Sequence, residues 1–383
     1  MFAKKSDLAI INRGFWPQGQ VIGESLLQLA ESIAQRKKVA VVTQADGKLK
    51  ERLVEAGRGQ GVEALDCLSR SDSSTGLVKR SLDAVVFMFW TFFCLVRTRP
   101  EVVYVSTNPP VLVPFIVFVY AKVFGARYCY HLQDIHPEAA NIIVKLHPLV
   151  FGVLQKLDGI VMRHADSLVT LSEDMRSCIL DRSKTRSPIY LLDNPAFEVA
   201  PTDPASRTKD FVFCGNAGRL QRIPLLLGAI AEYLDQGGSL NFCFVGAGVY
   251  SPKIKELADR YESVAYLGVL PAEQAAEVVN QHRWALLPID DEVTRYAFPS
   301  KSSSYVVAHC RILAICGKET SVARWVGENG IGRACVPDRD EIVRVFQTIE
   351  SDRDAGDHAV PESLEKKLDV SYFTARLADI LRA

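Results

Sequence analysis

Short continuous apolar runs alternate along the chain with longer stretches whose apolar residues recur at helical spacing. Runs bounded by glycine, proline, asparagine or aspartate read as buried strands, and the stretches between them as helices. A first strand is predicted at 8–12. A loop with Gly14, Gly19 and Gly23 follows, then a helix over 24–35 with Leu26, Leu29, Ala30 and Ile33 on one face. Further strands are predicted at 39–43, 102–106, 128–132, 167–171 and 189–193, with helices over 111–124 and 148–163. Gly125 is placed to end the first of these helices in a left-handed conformation. Ser172, with Glu173 and Asp174 behind it, is placed to cap the helix after 167–171. The stretch 51–74 is polar, irregular and hard to read, and 71–76 reads as loop.

The segment 195–210 is rich in Pro, Thr, Asp, Ser and Ala and reads as a linker. Beyond it the alternation restarts, with strands predicted at 211–214, 240–245, 264–267, 285–288, 311–316 and 334–337 and helices fitting between them. A polar loop is predicted at 351–361 and a last helix at 372–381. Strands alternating with helices predict parallel, doubly wound sheets covered on both faces. The fold class is therefore α/β with two Rossmann-like doubly wound domains, at 1–194 and 195–368, and a C-terminal helix in 369–383 packing back on the first. A chain of 383 residues is long for one domain, which agrees.

One stretch breaks the alternation. From Leu82 to Val96 the chain is apolar all round, with Lys79, Arg80, Arg97 and Arg99 beside it. It falls short of the roughly 20 residues that span a bilayer. It is either a buried helix or an interfacial one whose aromatic residues dip into lipid, and periodicity does not separate the two. At the N-terminus, 1–11 has no signal-peptide apolar core or cleavage site.

Charge narrows the function. Lysine plus arginine equals aspartate plus glutamate at 45 each, so no basic excess points to nucleic acid. The nine cysteines lie mostly in strand-like runs without C-x-x-C spacing, and read as small core residues in a reducing compartment. Asp338 with Asp340, Asp352 with Asp354, and Asp290 with Asp291 read as caps or solvated loop residues, so no essential metal is predicted.

Three places carry candidate chemistry. Phe211 to Cys214 is a strand stopped by Gly215-Asn216-Ala217-Gly218-Arg219, with a helical pattern starting at Ile223. Glycines let backbone approach a ligand, and a helix N-terminus offers free N–H groups, so this corner is a candidate phosphate site. It matches neither G-x-G-x-x-G nor G-x-x-x-x-G-K-[ST]. Gly246-Ala247-Gly248 repeats the arrangement, more simply as a strand-end turn. In Pro299-Ser300-Lys301 a helix starts with a lysine in its first turn, against the macrodipole. Such a conflict is expected where an anion sits, although a solvated surface lysine fits as well. His131-Leu132-Gln133-Asp134-Ile135-His136-Pro137-Glu138 gathers acids and imidazoles at a strand's carboxyl end, where open α/β sheets bind ligands. Asp134, Glu138 or His131 could act as acid or base toward a hydroxyl acceptor. The spacing matches no common zinc pattern, and His131 could equally be a core histidine.

Taken in order, the 13–23 loop, Thr107-Asn108-Pro109-Pro110, 131–138, 165–173, Asn194-Pro195, 215–221, Val245-Gly246-Ala247-Gly248, 267–271 and Pro299-Ser300-Lys301 resemble the family-4 retaining glycosyltransferases. The nearest likeness is to bacterial capsule, O-antigen and colanic-acid transferases, and it covers nearly the whole chain. That family has the GT-B fold, two Rossmann-like domains facing a cleft. The resemblance implies a nucleotide-sugar donor, UDP-linked, on the C-terminal domain. Arg219 and Lys301 would hold its diphosphate. Gly215, Asn216, Gly218, Gly246, Ser300 and Tyr305 would surround it, and Val269 and Leu270 would line the base. The acceptor, a polyprenyl-diphosphate-linked glycan, would lie near Gly19, Gly23, Glu24 and 131–138 of the N-terminal domain.

The resemblance further implies a hexosyl or N-acetylhexosaminyl transfer with retention, needing no cofactor or metal. It implies a cytoplasmic protein, peripheral on the inner face of the cytoplasmic membrane through 82–96. Ala297 and Tyr305 stand where the family carries paired glutamates, and Cys310 and Ile312 where it carries a glycine and a proline. Two other readings therefore stand beside it: a catalytically silent glycosyltransferase-like binding protein, and a nucleotide-sugar epimerase of the same two-domain shape.

Overall fold

Among the described residues, seven strands pair in one sheet and six in another, and every pairing is parallel. The structure is a computed structural model and describes residues 5–18, 20–69, 77–197, 207–352 and 360–382. Gly19, the 71–76 loop, most of the linker (198–206) and most of the 351–361 loop (353–359) lie outside these. The chain divides into a first unit, Met1–Pro195 with Val370–Ala383, and a second, Ala196–Asp369.

The first unit runs β1 (Ser6–Ile11), α1 (Gln20–Ala34), β2 (Val39–Ala45), α2 (Leu49–Glu55), β3 (Val62–Leu68), α3 (Leu77–Thr98), β4 (Pro100–Ser106), α4 (Leu112–Phe124), β5 (Arg127–His131), α5 (Glu138–Ile143), α6 (Pro148–His164), β6 (Ser167–Thr170), α7 (Glu173–Ser183) and β7 (Ile189–Leu191). Its strand order is β3-β2-β1-β4-β5-β6-β7. The direction of winding reverses between β1 and β4, and the loops at their carboxyl ends flank the switch point where such sheets bind ligands. Gly125 closes α4 at φ 68°, its N–H donating to the Ala121 carbonyl. The Ser172 hydroxyl accepts from the Met175 N–H at the start of α7.

Two stretches are filled out here. The stretch 51–74, hard to read from the sequence, holds most of α2 and all of β3. β3 is an edge strand, and only its central Leu65 is buried, so it lacks the apolar run that marks a central strand. The apolar stretch 82–96 is the middle of a longer helix. α3 has 22 residues, and Ser81–Thr98, with mean hydropathy 1.5, is by length and composition long enough to cross a membrane. A third of that window is nevertheless packed inside the unit. Its one acid, Asp83, is buried and paired with Arg13 at 2.9 Å.

The second unit runs β8 (Lys209–Cys214), α8 (Ile223–Asp235), β9 (Phe242–Val245), α9 (Ser251–Arg260), β10 (Val264–Gly268), α10 (Ala272–Asn280), β11 (His282–Pro288), α11 (Asp291–Thr294), α12 (Lys301–Val307), β12 (Arg311–Ile315), α13 (Ser321–Glu328), β13 (Gly332–Cys335), α14 (Arg339–Ser351) and α15 (Glu362–Leu368). Strand order is β10-β9-β8-β11-β12-β13, with its switch point between β8 and β11. Phe211, Phe242, Phe346 and Tyr233 pack together in its core, Phe211 stacked on Phe242 and the other pairs edge to face, with ring centroids 5.1–6.1 Å apart. Asp338 caps α14, as expected, by accepting from the Glu341 N–H.

The last helix, α16 (Val370–Arg382), belongs to the first unit and packs on α1. Phe373, Leu377, Ile380 and Leu381 join Leu26, Leu27, Leu29 and Ala30 in one apolar cluster. Phe373 is fully buried and its ring lies 6.1 Å from that of His131. Phe373→Ala should therefore destabilise the first unit by about 3–5 kcal/mol, as large-to-small core changes do. Denaturant unfolding followed by near-UV circular dichroism measures it, and a loss under about 1 kcal/mol would mean that α16 is not part of that core.

Candidate functional site

In the second unit the candidate residues gather at the carboxyl ends of β8, β9 and β10. β8 stops at Cys214 because Gly215 turns at φ 139°, and Gly246 turns at φ 114° after β9. The two turns dock backbone to backbone. The Gly215 N–H donates to Val245 O at 2.9 Å and the Ala217 N–H to Ala247 O at 3.0 Å. A Cβ on Gly246 would stand 2.1 Å from the Gly215 carbonyl, so the contact requires a glycine. Beyond it, the Gly218 N–H donates to Gln221 Oε1 at 3.1 Å, which fixes the end of the turn.

Lys301, the first residue of α12, reaches under this turn. Its Nζ lies 4.2 Å from the centre of the Phe213 ring and 3.2 Å from where a Cβ on Gly215 would be. The stem of Lys301 is partly exposed, but Nζ is sealed from solvent and has no hydrogen-bond partner among the described residues. Burial pushes its pKa down to about 8, partly offset by the nearby Cys214. A buried ammonium normally has a partner, because leaving one unpaired costs several kcal/mol (roughly, before relaxation). The ring face of Phe213 supplies part of that stabilisation. An anion at the Gly215 turn would supply the rest.

The other residues of this region fall into contacts of different kinds. Arg219 is exposed, and among the described residues its side chain makes no hydrogen bond or ion pair. Asn216 and Ser300 are exposed on the same loops. Val269 is 73% exposed just past the Gly268 turn, with Leu270 partly covered beside it. Tyr305 is not in a position to touch a ligand through its hydroxyl. It is buried, accepts from the Cys214 N–H at 2.9 Å and donates to the Cys214 carbonyl at 3.1 Å. It anchors the end of β8 and so sets where Gly215 turns.

The helix behind the turn starts where the sequence pattern places it. α8 begins at Ile223, with Pro224 in its first turn. Arg222 occupies its start, tied to Asp290, Asp291 and the Ile289 carbonyl at 3.2–3.4 Å. Sequence reasoning missed Phe213 and Gln221. Phe213 reads as one more core residue in an apolar run, and nothing linear pairs it with Lys301.

In the first unit the 131–138 segment separates into three roles. His131 is fully buried, shares a 2.7 Å hydrogen bond through Nδ1 with Tyr104 Oη, and is pushed down to about 4 by burial. It is a neutral core histidine at pH 7. Glu138 accepts from Arg182 at 2.7 Å and from Gln155 at 2.8 Å. Arg182 also pairs with the buried Asp158, which accepts in turn from Tyr130 at 2.6 Å. Both Glu138 oxygens are committed to this buried cluster.

Asp134 remains. Its backbone N–H and that of Gln133 donate to Thr107 Oγ1. Its carboxyl has no hydrogen bond among the described residues, and burial pushes it up to about 6. A carboxyl near that value holds and releases a proton close to neutral pH. The two described members of the acceptor-side set have structural contacts. Glu24 accepts from Arg58 at 2.9 Å and from Gln28 at 3.0 Å. A Cβ on Gly23 would stand 2.9 Å from the Phe15 carbonyl carbon, so α1 needs glycine to pass that loop. Among the described residues no group of three or more His, Cys, Asp or Glu is arranged to hold a metal.

No family model matches the chain. A curated Pseudomonas aeruginosa protein named probable glycosyltransferase WbjE is 27% identical over 280 residues, covering 68% of this chain and 69% of its own. Among solved structures, HepE from Anabaena in complex with UDP matches 98% of this chain and 99% of its own, at 14% identity and a TM-score of 0.65. WaaG, a glycosyltransferase involved in lipopolysaccharide biosynthesis, matches 98% and 99%, at 12% identity and a TM-score of 0.62. At these identities the structural likeness establishes the two-domain GT-B fold.

If Lys301 awaits an anion, Lys301→Met should raise the Tm of the free protein, because an unpaired buried charge is removed. The same variant should lose the Tm increase that a diphosphate ligand gives the wild type. Wild-type affinity for that ligand should fall as pH rises through about 8, where the ammonium is lost. Calorimetry across that pH range checks this, and a flat profile would count against Lys301 as the contact.

Proposed function

We propose that this chain, a glycosyltransferase of the family-4 GT-B type, moves a hexosyl or N-acetylhexosaminyl group from a UDP-linked donor to a lipid-linked glycan, with retention, in cell-surface polysaccharide assembly. The observation that carries the reading is the unpartnered ammonium of Lys301 beneath the Gly215 turn. The donor diphosphate sits there, on Lys301, Arg219 and the backbone around Gly215 and Gly218, while the exposed Val269 and the partly covered Leu270 meet the base. The UDP bound by HepE supports the choice of nucleotide.

Transfer breaks the bond between the sugar and the diphosphate, and negative charge grows on the leaving phosphate. Two cations set beside that charge lower the barrier, the kind of electrostatic contribution that dominates many enzymes. They take the part that a divalent ion plays elsewhere, so the reaction proceeds without a metal. On the first unit Asp134, held near pKa 6, takes the proton that the acceptor hydroxyl loses as its oxygen bonds to the sugar. The acceptor is a polyprenyl-diphosphate-linked glycan, and the protein works at the cytoplasmic face of the membrane that carries it.

A silent binding protein is the alternative, because Ala297 has no polar side-chain atom and the Tyr305 hydroxyl is committed to Cys214. Incubation with a panel of nucleotide sugars decides between them. Release of UDP from one donor is expected, and nucleotide binding without release from any donor would favour the silent protein. Arg219→Ala should lower turnover by about 100-fold or more with an unchanged far-UV spectrum, as for loss of one charge-stabilising group. EDTA should leave turnover intact, and the product anomer, read by NMR, should match the donor.

A further inference from the structure

α3, α4 and α6 pack side by side in the first unit, α3 on α4 and α4 on α6. Their outer surface is not that of an ordinary solvent-facing layer. On α3, Leu82, Val86, Phe89 and Phe93 follow one another at helical spacing and are 46–65% exposed. Val123 at the end of α4, and Leu149 and Val153 on α6, are 57–75% exposed. Single exposed apolar residues mean little, but a set spread over adjacent helices marks an interaction surface.

Charge is segregated on the same helices. α3 to α6 hold three carboxylates, Asp83, Glu138 and Asp158, and each is buried and paired with Arg13 or Arg182. The cations are on the outside: Lys79, Lys122, Lys156 and Arg163 on these helices are all exposed, and so is Lys145 in the connection between α5 and α6. A chain whose charges balance at 45 each thus turns a face that is apolar and cationic, with no exposed acid on these helices.

We propose that this three-helix face is a docking surface for an anionic lipid bilayer, lying flat with its apolar side chains in the headgroup boundary and its lysines on acidic headgroups. α3 does not cross the bilayer, because its other side, including the Asp83 pair with Arg13, is packed in the unit. A second copy of the chain fits the face poorly, since a two-fold contact would set its lysines against themselves. The choice of a bilayer rests in part on the lipid-linked acceptor proposed above. Vesicle binding is read without donor or acceptor, so the two readings fail separately.

Sedimentation of the full chain with phosphatidylcholine vesicles, with and without phosphatidylglycerol, tests the assignment. Binding should require the anionic lipid and weaken at high salt. Phe89→Asp with Phe93→Asp should lower the partition coefficient at least about tenfold, by removing buried apolar area. Lys122→Glu with Lys145→Glu and Lys156→Glu should lower it by about fivefold or more for each lysine changed. Both variants change exposed side chains, and an unchanged Tm and unchanged UDP binding would show that they fold. Wild-type failure to bind anionic vesicles would overturn the proposal, as would folded variants that bind like the wild type. So would a lipid-free dimer that Phe89→Asp with Phe93→Asp converts to monomer.

Discussion

A lysine ammonium sealed from water with no hydrogen-bond partner among the described residues is costly for a fold to keep, and Lys301 is kept by three features around it. Phe213 offers its ring face at 4.2 Å. Gly215 leaves the space that a Cβ would narrow to 3.2 Å. Tyr305 holds both backbone groups of Cys214, so the strand turns where the ammonium is. The glycine at 246 belongs to the same constraint, since it lets the neighbouring turn lie against the Gly215 carbonyl. The carboxyl ends of β8 and β9 are thereby built around one unsatisfied positive charge. Unpaired charge of this kind marks sites where stability has been given up for binding.

The first unit treats its charges the other way. Arg182 takes up Glu138 and Asp158, and Arg13 takes up Asp83. Breaking either buried set by removing one partner would be costly, so these acids serve the fold. Two consequences follow. In the 131–138 segment only Asp134 is left with a carboxyl free of hydrogen bonds among the described residues. On the helical layer, the lysines are left as the charges that face outward.

The fold was largely legible because its strands are buried on both faces and read as continuous apolar runs. β3 escaped notice for the opposite reason: an edge strand with a single buried side chain has no such run. α3 was read too short because the apolar window ends before the helix does: Lys79-Arg80-Ser81 interrupts it at one end and Arg97-Thr98 carries the helix on at the other. At the site, Lys301 and the glycine turn were legible from local conflict and local geometry. Tyr305 and Glu138 were not, because each is defined by a partner far away in sequence: the Cys214 backbone for one and Arg182 for the other. His131 shows the same limit, since only its buried contacts with Tyr104 and Phe373 separate a core histidine from a catalytic one.

The central claim is that the Lys301 ammonium is the waiting counter-charge of a nucleoside diphosphate. Its titration can be followed directly by NMR of the full chain with isotopically labelled lysine side chains, free and saturated with UDP. In the free protein one lysine should titrate near 8. With UDP bound its pKa should climb toward or above the ordinary lysine value, because the bound anion favours the charged form. A titration that is the same with and without UDP would contradict the account.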